Sequence, residues 1–383
     1  MVTRTLLPLL RRRLRGWPAV GLVGPRQAGK TTLARALGGD YFDLEQESER
    51  LRLDLQWDAL ARGRRLAILD EAQSWPEVFP RLRGAIDADR RRRGRFLLLG
   101  SVSPALMTQV SESLAGRLSV VELPPFLASE LPAVPLTRLW LRGGYPDGGV
   151  LRSGRFPQWQ RDYLSLLAQR DLPAWGLPAK PRETERLLAM LAANHGQLWN
   201  ASQIGQSMGL SYHTVNSYLD YLEGAFLVRR LQPYHANLSK RLVKSQKVYW
   251  RDPGLLHAIL NVSDYRRLLA QPWVGASWEG FVIEQTIQTL ATHDAYPKAF
   301  FFRTSDGIEI DLLLDFGTCT WAVEVKLTSS PGPADMDQLR KAAGLIGADR
   351  RVLVSQVKTS SVSGKDVSCN LIWLIKHIAG MLP

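Results

Sequence analysis

Residues 24–31 read Gly-Pro-Arg-Gln-Ala-Gly-Lys-Thr, the pattern G-x-x-x-x-G-K-T with its full spacing. Those residue types make a phosphate cradle. Gly24 and Gly29 let the backbone wrap through Pro25, Arg26, Gln27 and Ala28 so that N–H groups converge on a β-phosphate. Lys30 is expected to reach the β- and γ-phosphates and the Thr31 hydroxyl to ligate Mg²⁺, with Thr32 opening the helix that follows. Asp70 and Glu71 close an apolar run at 66–69. In that place Asp70 would hold Mg²⁺, directly or through water, and Glu71 would polarise the attacking water as general base. Ser101 ends another apolar run, 96–100. It is the candidate polar group between a γ-phosphate and Asp70-Glu71; the alternative is a solvent-facing serine at a strand end. Arg117 precedes the apolar run 120–123. It would act in trans on a neighbouring subunit's γ-phosphate, in a ring expected to have six members; the alternative is a structural ion pair. ATP and Mg²⁺ are the cofactors this set implies.

A second set lies near the C-terminus. Asp311 sits inside an apolar run at 307–314, and Glu324 and Lys326 share one face of the run 321–326 by the period of two. Asp followed by a strand carrying E-x-K resembles the PD-(D/E)XK nuclease superfamily. The resemblance implies that Asp311 and Glu324 ligate Mg²⁺, that Lys326 positions or activates water, and that Glu284 on the preceding helix completes the metal shell. Gln338 falls on the following helix, where some relatives of that fold place a substrate-contacting glutamine. The alternative is a retained structural ion pair in an inactive fold, since charges inside apolar strands are costly unless they are paired or bind something.

Between the two sets, residues 200–222 read as a helix, a turn at Gly209, and a second helix capped by Ser211. Tyr212, His213, Thr214 and Asn216 open that second helix, where a recognition helix reaches base edges. A strand-like pair, 226–228 and 247–250, flanks a loop that reads as a wing. From 225 to 251 there are seven basic residues, Arg229, Arg230, Lys240, Arg241, Lys244, Lys247 and Arg251, and no acidic one. Lys240, Arg241 and Lys244 are the expected phosphate-backbone contacts; the alternative is a winged helix used for subunit contacts.

These residues need an α/β scaffold. The runs 19–23, 41–44, 66–69, 96–100 and 120–123 read as buried strands, the first running straight into the phosphate loop and from there into a helix. Together GPRQAGKT, YFDLE, ILDEAQ with Trp75-Pro76, FLLLGS, ESLAGR and Arg142-Gly143-Gly144-Tyr145-Pro146 resemble the AAA-type ATPases of bacteria and archaea that carry a C-terminal domain of unknown function, DUF4143. The resemblance covers nearly the whole chain. It implies a P-loop ATPase core, a winged-helix module and a PD-(D/E)XK nuclease-like α/β domain. The expected organisation is an ATPase domain at 1–135, a helical lid or connector at 136–198, a winged helix-turn-helix at 199–262 and the nuclease-like domain at 263–383.

Composition bounds the partners. The chain has 383 residues, 49 basic and 36 acidic, net +13. Residues 1–130 carry 21 basic and 15 acidic side chains, residues 131–270 carry 18 and 9, and residues 271–383 carry 10 and 12. The excess lies in the first two thirds and favours an anionic partner, DNA first. No apolar run reaches 18 residues, the arginines at 11–15 follow the short apolar stretch 6–10 where a signal peptide would place them before it, and there are two cysteines. The expectation is a cytoplasmic protein without a membrane partner. Its expected function is to couple ATP hydrolysis to work on DNA; the alternatives are a nucleotide-switched regulatory or defence protein with a protein partner, and an ATP-gated metal-dependent nuclease.

Overall fold

The computed structural model describes residues 2–101, 114–234 and 243–382. The chain divides into two compact units, one of residues 1–126 with 220–227 and one of residues 127–219 with 228–383.

The first unit is built on a five-stranded parallel sheet. Its strands are β1 (Ala19–Val23), β2 (Asp40–Asp43), β3 (Ala67–Asp70), β4 (Phe96–Gly100) and β5 (Leu118–Glu122), in the order β2-β3-β4-β1-β5. β4 lies between β1 and β3, in register with both. The side chains alternate as the pleat requires. Ala19, Ala67, Leu69, Phe96 and Leu98 enter one core cluster with Leu53 of helix α3 (Glu47–Arg62) and Val78, Phe79, Leu82 and Ile86 of α4 (Val78–Ala88). Val20, Leu22, Ile68, Leu97 and Leu99 enter the other, with Leu9, Leu10 and Leu14 of α1 (Leu7–Gly16) and Leu33 and Ala34 of α2 (Lys30–Arg35). Both faces are covered, so these strands read as unbroken apolar runs. All strands point the same way. The loops after β1, β3 and β4 therefore meet at one edge, and this brings the phosphate loop, Asp70-Glu71 and Ser101 together.

The second unit carries an eight-stranded mixed sheet. Its strands are β6 (Val228–Pro233), β7 (Lys247–Trp250), β8 (Lys298–Arg303), β9 (Glu309–Asp315), β10 (Thr320–Val325), β11 (Arg350–Ser355), β12 (Ser361–Ser363) and β13 (Asp366–Asn370), in the order β12-β13-β11-β10-β9-β8-β6-β7. The expected wing is the antiparallel pair β6–β7. Yet β6 also runs parallel to β8, Gln232 opposite Phe300 and Pro233 opposite Phe301. The hairpin is thus the edge of the C-terminal sheet, which crosses the expected boundary at 262.

One helix, α5 (Val274–Thr292), runs through the polar core of this unit. His195 Nε2 donates to the Ala276 carbonyl (3.2 Å), while its Nδ1 accepts from the Trp250 N–H (3.0 Å). His257 Nδ1 donates to the Leu141 carbonyl (2.8 Å), leaving Nε2 to accept from Ser277 Oγ (2.7 Å), which in turn takes the Trp140 indole N–H (3.0 Å). Each ring has one donor and one acceptor role, so each is neutral. Burial holds the His195 pKa down at about 3 and that of His257 at about 4. Both lie below the unfolded value near 6.5, so the unfolded chain takes up protons that the native chain refuses. Their contribution to stability is complete above about pH 6.5 and is lost as pH falls toward 4 and 3. Denaturant unfolding between pH 7 and 4 should show stability falling with acidification, and His257→Gln should reduce the proton uptake on unfolding toward one fewer at pH 5.

Candidate functional site

The phosphate loop is held from two sides. Gly24 has φ +147°, and a Cβ there would lie 2.3 Å from the Leu123 carbonyl oxygen, so only glycine fits against the segment after β5. On the other side stands Arg4. The residue is 6% exposed, and its guanidinium donates to the Ala28 carbonyl (2.8 Å) and the Pro124 carbonyl (2.6 Å), with its carbon 4.8 Å above the Phe126 ring centre. The peptide between Ala28 and Gly29 is planar, so anchoring the Ala28 oxygen turns the Gly29 N–H the opposite way. Arg4 thereby sets the direction of a cradle N–H.

Lys30 is buried, and its Nζ donates to the carbonyls of Gly24 (2.9 Å) and Pro25 (3.0 Å) and to Ser101 Oγ (3.2 Å). These partners are neutral. Burial lowers its pKa to about 8, against the pull of Glu71 and Asp70. A buried ammonium with no ion pair of its own among the described residues suits a phosphate. Ser101 Oγ donates to Glu71 Oε1 (2.7 Å), which links Lys30 through Ser101 to Glu71. The Gln73 side-chain amide donates to the other Glu71 oxygen. Glu71 is left-handed at φ 48°, a strained conformation for a residue with a side chain. Thr31 Oγ1 donates to Asp70 Oδ2 (2.7 Å), where Tyr41 OH also donates (2.7 Å). Hydroxyl and carboxylate side by side are a donor set that suits Mg²⁺. The structure thus brings Lys30, Thr31, Asp70, Glu71 and Ser101 to one place.

Arg26, on the loop, lies 3.7 Å from Glu45. Arg117 does not project freely. Its Nε and Nη2 bind both oxygens of Asp87 (2.9 and 2.8 Å) and its Nη1 donates to Ala115 O (3.0 Å). In the single chain the ion pair with Asp87 is the arrangement seen. Arg4, Tyr41 and Gln73 are absent from the sequence reading. Gln73 and Tyr41 lie within quoted motifs; Arg4 precedes all of them and has no spacing signal.

The C-terminal set differs more. Lys326 Nζ pairs with Glu324 Oε1 (2.7 Å), and Asp311 Oδ2 accepts from the Val325 N–H (2.8 Å). Glu284 does not join them. Arg229 Nε (2.6 Å) and Arg251 Nε (2.7 Å) each bind one of its oxygens and, against burial, hold its pKa down at about 2. Glu279, one turn earlier on α5, is the carboxylate whose charge bears on Asp311 and Glu324. The buried Lys247 Nζ binds Glu279 (3.1 Å) and Glu309 (2.6 Å). Gln338 is exposed, next to the buried Leu339. Among the described residues no group of three or more His, Cys, Asp or Glu could hold a metal ion. Burial, and then the charges of Glu279 and Glu324, push the Asp311 pKa well above the usual carboxylate range. Ionised Asp311 therefore costs stability as pH rises above the unfolded value near 3.9. Asp311→Asn keeps an acceptor for Val325 N–H and should raise the melting temperature at pH 8.

The helix-turn-helix is present as Ala201–Met208 and Tyr212–Gly224, with Gly209 left-handed between them. Tyr212 and His213 are exposed and their rings lie 3.8 Å apart. Thr214 is tied into the cap by Ser211 Oγ, and Asn216 Oδ1 accepts from the Trp199 indole (2.8 Å). Of the seven basic residues of the hairpin region, Arg229, Lys247 and Arg251 are used in the ion pairs above. Lys244 is exposed; Lys240 and Arg241 lie outside the described residues.

The family described as AAA domain matches residues 17–131, and two domains of unknown function, DUF8612 and DUF4143, match 135–266 and 274–372. Over 327 residues the chain is 40% identical to the uncharacterized protein Rv2008c of Mycobacterium tuberculosis, covering 84% of this chain and 73% of that protein. The chain belongs to this family of AAA-type ATPases with a C-terminal DUF4143 domain. The uncharacterized protein Mb2031c of Mycobacterium bovis gives the same figures. The Walker-type ATPase PABY2304 of Pyrococcus abyssi is a similar structure at 15% identity and TM-score 0.45, covering 67% of this chain and 95% of that one. This AAA-type ATPase has no helix among the described residues long and apolar enough to cross a membrane.

The cradle of this ATPase leans on Arg4. Arg4→Ala should raise the KM for ATP at least tenfold with kcat changed less than threefold, and Arg4→Lys should recover part of the loss. Steady-state ATPase kinetics would check this. An unchanged KM, with kcat falling along with the folded fraction, would reduce Arg4 to a packing residue.

Proposed function

We propose that ATP is hydrolysed at the edge formed by Lys30, Thr31, Asp70, Glu71 and Ser101, and that this hydrolysis drives work on DNA. The observation that carries the hydrolytic reading is the chain from Lys30 through Ser101 to Glu71, a buried cation and a carboxylate joined by one hydroxyl. On binding, the phosphates replace the Gly24 and Pro25 carbonyls as partners of Lys30. Gly24, Pro25, Arg26, Gln27, Ala28, Gly29 and Thr32 line the cradle. Thr31 and Asp70 would hold Mg²⁺, which would neutralise charge on the transferred phosphoryl group. Glu71, released from Ser101, accepts hydrogen bonding from the attacking water and aligns it, while Ser101 turns to the γ-phosphate. The left-handed Glu71 backbone supports a carboxylate held in one working orientation.

DNA is favoured as the target by the net charge of +13 and by the outward Tyr212 and His213 at the head of the second helix. The rival, a nucleotide-switched regulator with a protein partner, is favoured by the loss of Thr214, Asn216, Arg229, Lys247 and Arg251 to internal bonds. Arg117 gives little support to a six-membered ring while Asp87 holds it. A metal-dependent nuclease is less favoured, because Glu324 is paired with Lys326 and Glu284 with Arg229 and Arg251, although Asp311 and the second oxygen of Glu324 stay unmatched by a cation among the described residues.

Glu71→Gln should bind ATP yet turn over about 100-fold or more slowly, and Lys30→Ala should lose nucleotide binding. Normal turnover by Glu71→Gln would remove the base assignment. ATPase rates measured with duplex, forked and four-way DNA, alongside oligomeric state with and without ATP, test the target. A rate insensitive to every DNA would favour the protein-partner reading.

A further inference from the structure

A cluster of exposed arginines in the first unit lies at the sheet edge opposite the phosphate loop. Three helices, α1, α3 and α4, end there, and the chain binds their ends together. The Gly94 N–H donates to Trp17 O (2.9 Å), Arg92 Nη1 to the carbonyls of Ala61 and Arg62 (3.2 Å each), and Arg95 to Ala61 O (2.8 Å) and Ala85 O (2.5 Å). Helix C-termini attract cations, and that is the ordinary reason to find arginines beside them. Here Arg92 and Arg95 already serve those carbonyls. Arg15, Arg62, Arg64, Arg91 and Arg93 remain, all exposed, and none forms an ion pair among the described residues. Arg65 and Arg90, paired with Asp40 and Asp87, stand at the rim. A groove of about 450 Å³ opens beside them, with Gln56, Gly63 and Arg65 in its wall.

We propose that this arginine-rich pole binds the phosphate backbone of a nucleic acid. The inference rests on the DNA reading above but moves the main contact from the β6–β7 hairpin to the ATPase unit. Five like charges without an ion pair among the described residues, on the ends of α1 and α3 and on the segments that follow α3 and α4, repel one another in the free protein, and a polyanion relieves that. The guanidinium fork suits the paired oxygens of a phosphodiester. An anionic bilayer would satisfy the charge as well, but surface-bound membrane proteins also insert apolar side chains. Of the exposed large apolar residues, Leu51, Leu55 and Val120 in this unit, none lies on these loops. The pole is one strand length from the cradle, about 15 Å for five residues, so it can be altered without touching the catalytic edge.

The test uses the full chain carrying Arg62→Glu, Arg64→Glu, Arg91→Glu and Arg93→Glu together, and a milder set with Gln at the same positions. Binding to a labelled 30-base-pair duplex is followed by anisotropy across a salt series, with phosphatidylglycerol vesicles as a second probe. The wild type should bind the duplex. The Glu set should lose at least tenfold in affinity at 100 mM salt and flatten the log–log salt slope by about 3 to 4, near 0.9 for each phosphate contact removed. The Gln set should fall between. ATPase activity without DNA should keep its KM and kcat in both sets, which also reports folding. Duplex binding of wild-type strength and slope in both sets would overturn the pole while leaving the DNA reading intact, most clearly if Tyr212→Ala with Lys244→Glu abolishes binding instead. Wild-type protein that binds vesicles but no DNA, or neither, would overturn both.

Discussion

The arrangement at the catalytic edge follows from one constraint, that Lys30 is buried without a carboxylate of its own. An ammonium removed from water has to be compensated. In this chain the compensation is three neutral oxygens, two of them carbonyls of the loop that is to hold the phosphate. That choice keeps the cation available. A direct Lys30–Glu71 ion pair would be stronger and would have to be broken for ATP to enter. Placing Ser101 between them keeps the carboxylate close enough to raise the lysine pKa against burial, yet leaves both ends exchangeable. The position of β4 between β1 and β3 is what makes this possible, because it delivers Ser101 to the gap between the loop after β1 and the turn after β3.

The second unit treats its charges in the opposite way. Lys247 and Lys326 are set against Glu279, Glu309 and Glu324, and Glu284 is closed off by two arginines. Most of these groups answer one another; Asp311, pushed well above the usual carboxylate range by burial and by Glu279 and Glu324, and the second oxygen of Glu324 do not. The pairings also dispose of much of the positive charge that the sequence places around the hairpin, since Arg229, Lys247 and Arg251 face inward. Their extended strands alternate sides, and the inward sides happen to face α5 with its two glutamates. The arginines on the loops of the first unit have no such helix before them and stay in solvent.

How far this was legible in the sequence depends on the range of the interaction. The phosphate loop, Asp70-Glu71 and Ser101 each follow an apolar strand of the first sheet, and strand-then-polar-tip is a local pattern. Parallel order then assembles them at one edge, so the cradle and its partners were readable residue by residue. The helix-turn-helix was readable too, from Gly209 and the Ser211 cap. That the hairpin joins the C-terminal sheet was not legible, because β6 pairs with β8 across some seventy residues of intervening sequence. Glu284 and Glu279 could not be told apart from spacing, because both lie on α5 and only the helix's rotation decides which faces Asp311. Arg4 left no trace, since its partners are backbone carbonyls, which every residue has.

Charge counts therefore mislead when every basic side chain is treated as surface. The hairpin region holds seven cations and no anion in sequence, a density that points to a polyanion. Its anions are supplied by α5 and β9, far along the chain. In the first unit the sequence shows 15 acidic residues among 1–130, enough to suggest dilution. Several of them are elsewhere, Asp70 and Glu71 at the catalytic edge, while Asp40 and Asp87 each answer particular arginines. What remains unanswered is settled by three helices ending at one edge of a parallel sheet. Helices that pack on a parallel sheet run antiparallel to its strands, so their C-termini collect where the strands begin and the nucleotide edge is always opposite. Basic residues in the last turns of α1 and α3 and in the segment after α4 thus make a single pole.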